Sequence, residues 1–287
     1  MNPTFSVAVS PDSVRINIPA KINLNLRVEG LRADGYHEIT TLMTPVDLYD
    51  TVEIRRRPGP PGISLDCPHP GVPAGEENLA CRAARVFCEE TGWSVGLSIQ
   101  IEKRIPPGAG LGGGSSNAAA VLLGLNRLSG QRLHDHHLEA MAARIGSDVP
   151  WFIRAETALC KGRGEILETA PRPPSWPLLL VKPPFGVPSP WAYRAWDTLG
   201  GPHQPSRNIE GIPVANDLEP PVMEKYVFLT ALKNWLESRP GVRLAAMSGS
   251  GSTLFAILEE SANTETLIRE AHAFAGPTLW THPGRLL

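Results

Sequence analysis

Between Val14 and Val28 every even position is apolar: Val14, Ile16, Ile18, Ala20, Ile22, Leu24, Leu26 and Val28. A period of two sustained over that length predicts a long strand with one face in a core. The alternate face carries Lys21, Asn23, Asn25 and Arg27, and Pro19 predicts a bend or an edge position. Asp34-Gly35 in "ADGYHEI" predicts a turn, and "TVEIRRR" a further strand running into the loop "PGPPG". The chain therefore opens as antiparallel β structure.

Helical spacing follows in "NLACRAARVFCEETG", with Asn78 as a candidate N-cap and Gly92 as the stop. The alternating stretch "VGLSIQIEKRI" predicts a strand, and "SSNAAAVLLGLNRLS" a helix from about Ser115 to Ser129 closed by Gly130. "DHHLEAMAARIG" predicts a second helix, capped by Asp135 and stopped at Gly146. Prolines crowd the segment from Pro171 to Pro190, where two units are expected to join, with "PLLLV" as the first strand of the second. Beyond it, "PVMEKYVFLTALKNWLES" and "TETLIREAHAFAG" predict amphipathic helices around a central strand, "STLFAILEE". "GPHQPSRNIEGIP" has no periodicity and is expected to be a mobile loop.

The polar chemistry concentrates in "GAGLGGGSSN", where glycines crowd against the start of a helix. Gly108, Gly110 and Gly113 fit G-x-G-x-x-G with Asp135 further on, the spacing of a dinucleotide turn. Against that stand "KRIPP" between strand and glycines, the antiparallel context, and Asp135 at a helix start. A Walker A loop needs lysine after its last glycine, and Gly114 is followed by Ser115. The remaining reading is a loop that wraps phosphates with backbone N–H groups and hands them to a helix N-terminus. A second cluster, "SGSGST" from Ser248, is a weaker signal that could close over the same phosphates.

Composition narrows the possibilities. The 287 residues are 42% hydrophobic and 20% charged with a net charge of -2, which fits two globular units and excludes a general nucleic-acid-binding surface. Apolar runs such as "AAAVLLGL" fall well short of the roughly 18 residues that span a bilayer, so a cytoplasmic protein without membrane contact is expected. The four cysteines, Cys67, Cys81, Cys88 and Cys160, form no C-x-x-C pair, and Cys81 and Cys88, seven apart on one helix face, read as buried thiols.

Together "PAKINLNLRVEGLRADGYHEI", "IPPGAGLGGGSSNAAA", "GSDVPWF", "NDLEP" and "SGSGST" resemble the motifs of the GHMP kinases, in family order. The resemblance is to the branch that phosphorylates the 2-hydroxyl of a cytidyl-diphospho methylerythritol on the route to isoprenoids. It implies an α+β, two-domain GHMP kinase-like fold with the active site in the interdomain cleft, an N-terminal domain over 1–168 and a C-terminal domain over 169–287. ATP is the implied co-substrate, accompanied by Mg²⁺, and the protein is expected to be a monomer or weak homodimer.

Carried over by motif, Lys21 and Asp148 are the catalytic pair, the carboxylate accepting the hydroxyl proton and the ammonium holding developing charge. Without the motif, Asp148 reads as a turn residue and Lys21 as a solvated strand charge. Pro106, Pro107, Gly108, Ala109, Gly110, Leu111, Gly112, Gly113, Gly114, Ser115 and Ser116 would form the ATP phosphate loop, with Asn78 beside the adenine unless it is only a helix cap. Asn23, Tyr36, His37 and Tyr193 would bind the cytidyl substrate, Trp191 being the rival to Tyr193 for stacking on the base. No glutamate matches a metal ligand, and Ser116 is the one side chain considered for Mg²⁺. Other GHMP kinases acting on homoserine or mevalonate, and a binding protein that kept the fold without the chemistry, are the alternatives.

Overall fold

The computed structural model describes residues 4–73 and 75–287, which group into two compact units, each assembled from separate stretches of chain. The first comprises the chain up to Ala20, Leu48–Pro107 and Gly112–Glu156. Here β1 (Ser6–Val9) pairs antiparallel with β2 (Ser13–Leu31), which neighbours β3 (His37–Arg57). Next come β4 (Gly62–Asp66), α1 (Leu79–Thr91) and β5 (Gly96–Glu102); β5 runs parallel to β4 and antiparallel to β3. The helices α2 (Gly113–Ser129), α3 (Asp135–Ala143) and α4 (Val149–Arg154) complete the unit.

The period-two pattern of β2 is realised: all eight even positions from Val14 to Val28 are buried. The strand runs through Pro19 without a break, and Lys21 and Asn23 on its polar face are buried as well, each only 4% exposed. Gly124 shows how closely α2 lies on the strands. A Cβ there would come within 2.6 Å of Ile54 Cδ1 and 3.0 Å of Val14 Cγ1, so a larger residue at that point of "VLLGLN" would have to displace the Ile54 side chain. Asn78 caps α1, its Oδ1 accepting from Ala80 N–H at 2.9 Å, a bond worth about 0.5–2 kcal/mol. For α3 the expected boundaries shift: Asp135 is the first helical residue and His134 occupies the cap, while the C-cap is Arg144 rather than Gly146.

The second unit comprises Lys21–Asp47, Gly108–Leu111 and Thr157–Leu287. The hairpin β6 (Ala158–Lys161) and β7 (Ile166–Thr169) joins β3 through Thr41↔Cys160. After β8 (Pro177–Lys182) and α5 (Ser189–Thr198), β9 (Arg207–Ile209) and β10 (Ile212–Asn216) pair with each other, and β10 runs parallel to β2. The helical pattern expected from Pro221 onward is two helices, α6 (Glu219–Lys225) and α7 (Val227–Glu237), broken at Tyr226 with φ −101° and ψ 66°. Then follow β11 (Val242–Met247), β12 (Leu254–Leu258), α8 (Thr264–Ala275) and β13 (Trp280–Arg285).

These last strands form a separate antiparallel sheet, β11-β12-β8-β13, in which β12 is internal as its uniformly apolar sequence requires. Leu179, Val181, Ala256 and Leu258 pack with Leu229, Leu232 and Leu236 of α7 and with Leu267 and Ala271 of α8. The segment "GPHQPSRNIEGIP", expected to be a loop, contains β9 and the first residues of β10, and the stretch leading into β9 is hydrogen-bonded. Its Gln204 N–H and His203 Nδ1 each lie 2.8 Å from the fully buried Asp217 carboxylate, which also accepts from Arg27 Nη1 at 2.8 Å.

Candidate active site

The glycine loop begins after two half-buried prolines, Pro106 and Pro107, and alternates direction residue by residue. Gly108, Gly110 and Gly112 have φ of 62°, 75° and 73°, while the intervening side chains Ala109 and Leu111 are buried, 2% and 1% exposed. The loop is thus anchored by two small apolar plugs. Gly112 is the N-cap of α2 and supplies no side-chain cap bond, so the first-turn N–H groups of Gly113, Gly114 and Ser115 are the ready-made anion site of a long helix. Ser116 is different from expectation: it is fully buried and its hydroxyl donates to Gly113 O at 2.9 Å.

Residues 108–111 are stitched to the second glycine cluster and to β2. Ser248 Oγ donates to Gly110 O at 3.0 Å, and Thr253 N–H to Ala109 O at 3.3 Å. Lys21 N–H donates to Leu111 O, and Lys21 Nζ donates to Gly110 O at 3.1 Å and to Asn23 Oδ1 at 2.6 Å. Asn23 in turn donates through Nδ2 to Thr41 Oγ1 at 2.8 Å, so the ammonium's partner is itself fixed. Asn216 of "NDLEP" donates to both Met247 O and Gly249 O at 2.7 Å, holding the entry to the second loop. One buried network therefore joins Lys21, Asn23 and both loops.

Asp148 sits at the N-cap of α4 in a half-buried position, with Pro150 in the first turn. The helix it opens is fixed by Trp151, Phe152 and Ile153, all buried.

The substrate candidates divide into two pairs. His37 stacks on Tyr193, ring centroids 5.0 Å apart and planes inclined by 23°, whereas Trp191 packs edge-on to Tyr226 beneath Lys225 Nζ. Tyr193 is thus the aromatic that meets His37. Tyr36 is 53% exposed and carries the Arg163 guanidinium 4.8 Å from its ring centroid. The turn that presents it is braced by Asp34, whose Oδ1 accepts from Tyr36 N–H at 3.1 Å; that bond, with the Arg32 guanidinium, holds the carboxyl below the usual carboxylate range.

Residues 78–156 match the family model of the GHMP kinases N-terminal domain, and residues 205–276 that of the GHMP kinases C-terminal domain. A 4-diphosphocytidyl-2-C-methyl-D-erythritol kinase from Methylacidiphilum infernorum (isolate V4) is 44% identical over 268 residues, covering 91% of this chain and 93% of that protein. This chain belongs to the 4-diphosphocytidyl-2-C-methyl-D-erythritol kinase family of the GHMP kinases. A crystal structure of a 4-(cytidine 5'-diphospho)-2C-methyl-D-erythritol kinase superposes with a TM-score of 0.75 at 33% identity, covering 95% of this chain and 98% of that one. A homoserine kinase from Cytophaga hutchinsonii shares the fold alone, at 17% identity and a TM-score of 0.64 over 98% of this chain and 96% of that one.

Two charged residues of this family member belong to no motif or period that marks them in the sequence. Asp50 is fully buried, and its Oδ1 accepts from Arg104 N–H at 2.7 Å and Ile105 N–H at 2.9 Å. Its Oδ2 accepts from Asn117 Nδ2 at 2.9 Å and pairs with the Lys103 ammonium, which also donates to Asn117 Oδ1. Asp50 therefore fixes the backbone that leads into the glycine loop. Truncating it leaves a buried ammonium and two backbone donors short of an acceptor, so Asp50→Ala should lower unfolding stability by about 3–5 kcal/mol in urea titrations. A loss under about 1 kcal/mol would show that the carboxylate is not the anchor described here.

Lys182, the other, donates to Pro183 O at 3.0 Å and Phe185 O at 3.1 Å, and burial pushes its pKa down. Ser252 Oγ donates to the same Phe185 carbonyl, tying the turn after β8 to the second glycine loop.

Among the described residues no group of three or more His, Cys, Asp or Glu side chains is placed to hold a metal, and the Ser116 hydroxyl is committed to Gly113 O.

Proposed function

We propose that the chain transfers the γ-phosphoryl group of ATP to the 2-hydroxyl of 4-diphosphocytidyl-2-C-methyl-D-erythritol, giving the 2-phosphate and ADP in the methylerythritol phosphate route to isoprenoid precursors. The observation that carries this is the 44% identity to a kinase of that name across 91% of the chain. The site residues fit the chemistry. Backbone N–H groups at the N-terminus of α2 suit the ATP phosphates, and Pro106 through Ser116 line or brace that path. Asn78 keeps its side chain on α1 as a cap, which leaves the adenine a neighbour of that helix start.

In the reaction the 2-hydroxyl oxygen forms a bond to the γ-phosphorus, the bond to the β,γ-bridging oxygen breaks, and the hydroxyl proton passes to Asp148. Lys21, oriented by Asn23 and Gly110 O, supplies the positive charge that steadies the transferring group. Tyr36, His37 and Tyr193 receive the cytosine. Within this assignment residues 1–168 and 169–287 are the family's two domains, and the working form is a cytoplasmic monomer or weak homodimer.

An acceptor panel tests the assignment. With ATP and Mg²⁺ supplied, ADP should be released with the cytidyl methylerythritol and not with homoserine or mevalonate. Release with homoserine or mevalonate instead would assign the chain to another GHMP activity, and ATP binding without release from any acceptor would make it a binding protein.

A further inference from the structure

Helix α5 presents Tyr193, Trp196 and Asp197 at positions i, i+3 and i+4, hence on one face, and all three meet the buried side chain of His37. Tyr193 stacks on the imidazole, Trp196 meets it edge-on with centroids 6.1 Å apart, and both Asp197 carboxylate oxygens lie 3.0 Å from Nε2. Asp197 lies in the last turn of α5, where the helix dipole disfavours a negative charge. Its placement is accounted for by the histidine rather than by the helix.

A carboxylate only accepts hydrogen bonds, so the nitrogen facing it must carry the proton. In the neutral ring Nδ1 is then a bare acceptor, and it is the nitrogen turned away from Asp197. Such an acceptor matches the exocyclic amine of cytosine and opposes the carbonyl that uracil presents at the same position. We propose that Asp197 is the positioning residue that sets nucleobase specificity, by fixing the Nε2–H tautomer of His37 and so making Nδ1 a reader of an amino group. The proposal rests on the cytidyl reading of the site.

Two measurements test it on the full-length enzyme. The first compares kcat/KM for the cytidyl substrate and its uridyl analogue. The unsubstituted enzyme should favour the cytidyl form by about 10²-fold or more, because a site built for one hydrogen bond strongly rejects a mismatched partner. An amide can face either tautomer, so Asp197→Asn should bring the ratio to within about tenfold, chiefly through a 5- to 10-fold rise in cytidyl KM with KM for ATP unchanged. The second is ¹⁵N NMR of histidine-labelled protein, in which the neutral form of the His37 ring should carry its proton on Nε2 and become a tautomer mixture in Asp197→Asn and Asp197→Ala.

A base preference unaltered in Asp197→Asn, or a His37 ring protonated at Nδ1 in the unsubstituted protein, would overturn the proposal. No turnover of the cytidyl substrate by the unsubstituted enzyme would instead overturn the cytidyl reading beneath it, which keeps the two failures apart.

Discussion

Asp148→Asn should bind ATP as the unsubstituted chain does and turn over about 10²–10⁴-fold more slowly, the usual contribution of a positioned general base. The exchange keeps size and shape and removes the negative charge together with the capacity to take a proton. Asp148 makes no side-chain cap bond to α4, and Pro150 with the buried Trp151, Phe152 and Ile153 fixes that helix independently. Calorimetric ATP titration and steady-state kcat on the same preparation separate binding from chemistry. A kcat within a few-fold of the unsubstituted value would remove Asp148 from the role of base and leave phosphoryl transfer to positioning alone.

The second large effect is expected at Gly110. Its φ of 75° is a left-handed conformation that costs a non-glycine residue roughly 1–2 kcal/mol. Beyond that strain, a Cβ would strike the Ser248 carbonyl oxygen and lie 3.1 Å from Gly251 O, backbone atoms that cannot rotate aside. The contact lies where residues 108–111 meet "SGSGST", so Gly110→Ala should force the two loops apart and raise KM for ATP by about 10²-fold or more. Gly108 is the internal control, since its φ is 62° but nothing lies within 4 Å of an added Cβ. Gly108→Ala should show the strain alone, about a tenfold effect. Equal effects at the two positions would mean that backbone strain, and not the meeting of the loops, decides ATP affinity.

What could be read in advance follows the length scale of the signal. Strands and helices with sustained periodicity, β2, α1, α2 and β12 among them, announce themselves because one face is buried along their whole length. The break at Tyr226 was hidden, because Pro221 to Ser238 keeps a helical pattern across a backbone that turns at one residue. The burial of Lys21 and Asn23 was hidden too. A period-two strand assigns its polar face to solvent, whereas Gly110 O, distant in sequence, accepts from the Lys21 ammonium and Thr41 of β3 accepts from the Asn23 amide.

The same reasoning separates the site residues. Glycines in a motif advertise a backbone requirement, so the left-handed turns at Gly108, Gly110 and Gly112 before α2 were legible. Asp50, Lys182 and Asp197 act through partners 50 to 160 positions away or through a turn's carbonyls, and a lone charge in a sequence carries no trace of either. Within "SPWAY" the motif favours Tyr193 with Trp191 as its rival; helical phase places Tyr193 with Trp196 and Asp197 on the face that meets His37.

The central claim is that this chain moves the γ-phosphoryl group to one particular hydroxyl of one cytidyl substrate. The most direct test is ³¹P NMR of the reaction of 4-diphosphocytidyl-2-C-methyl-D-erythritol with ATP and Mg²⁺, followed to completion. ADP and a new monoester resonance should grow in equal amounts, with coupling that places the ester on the 2-position. A monoester at another hydroxyl, or inorganic phosphate growing in place of any ester, would contradict the account.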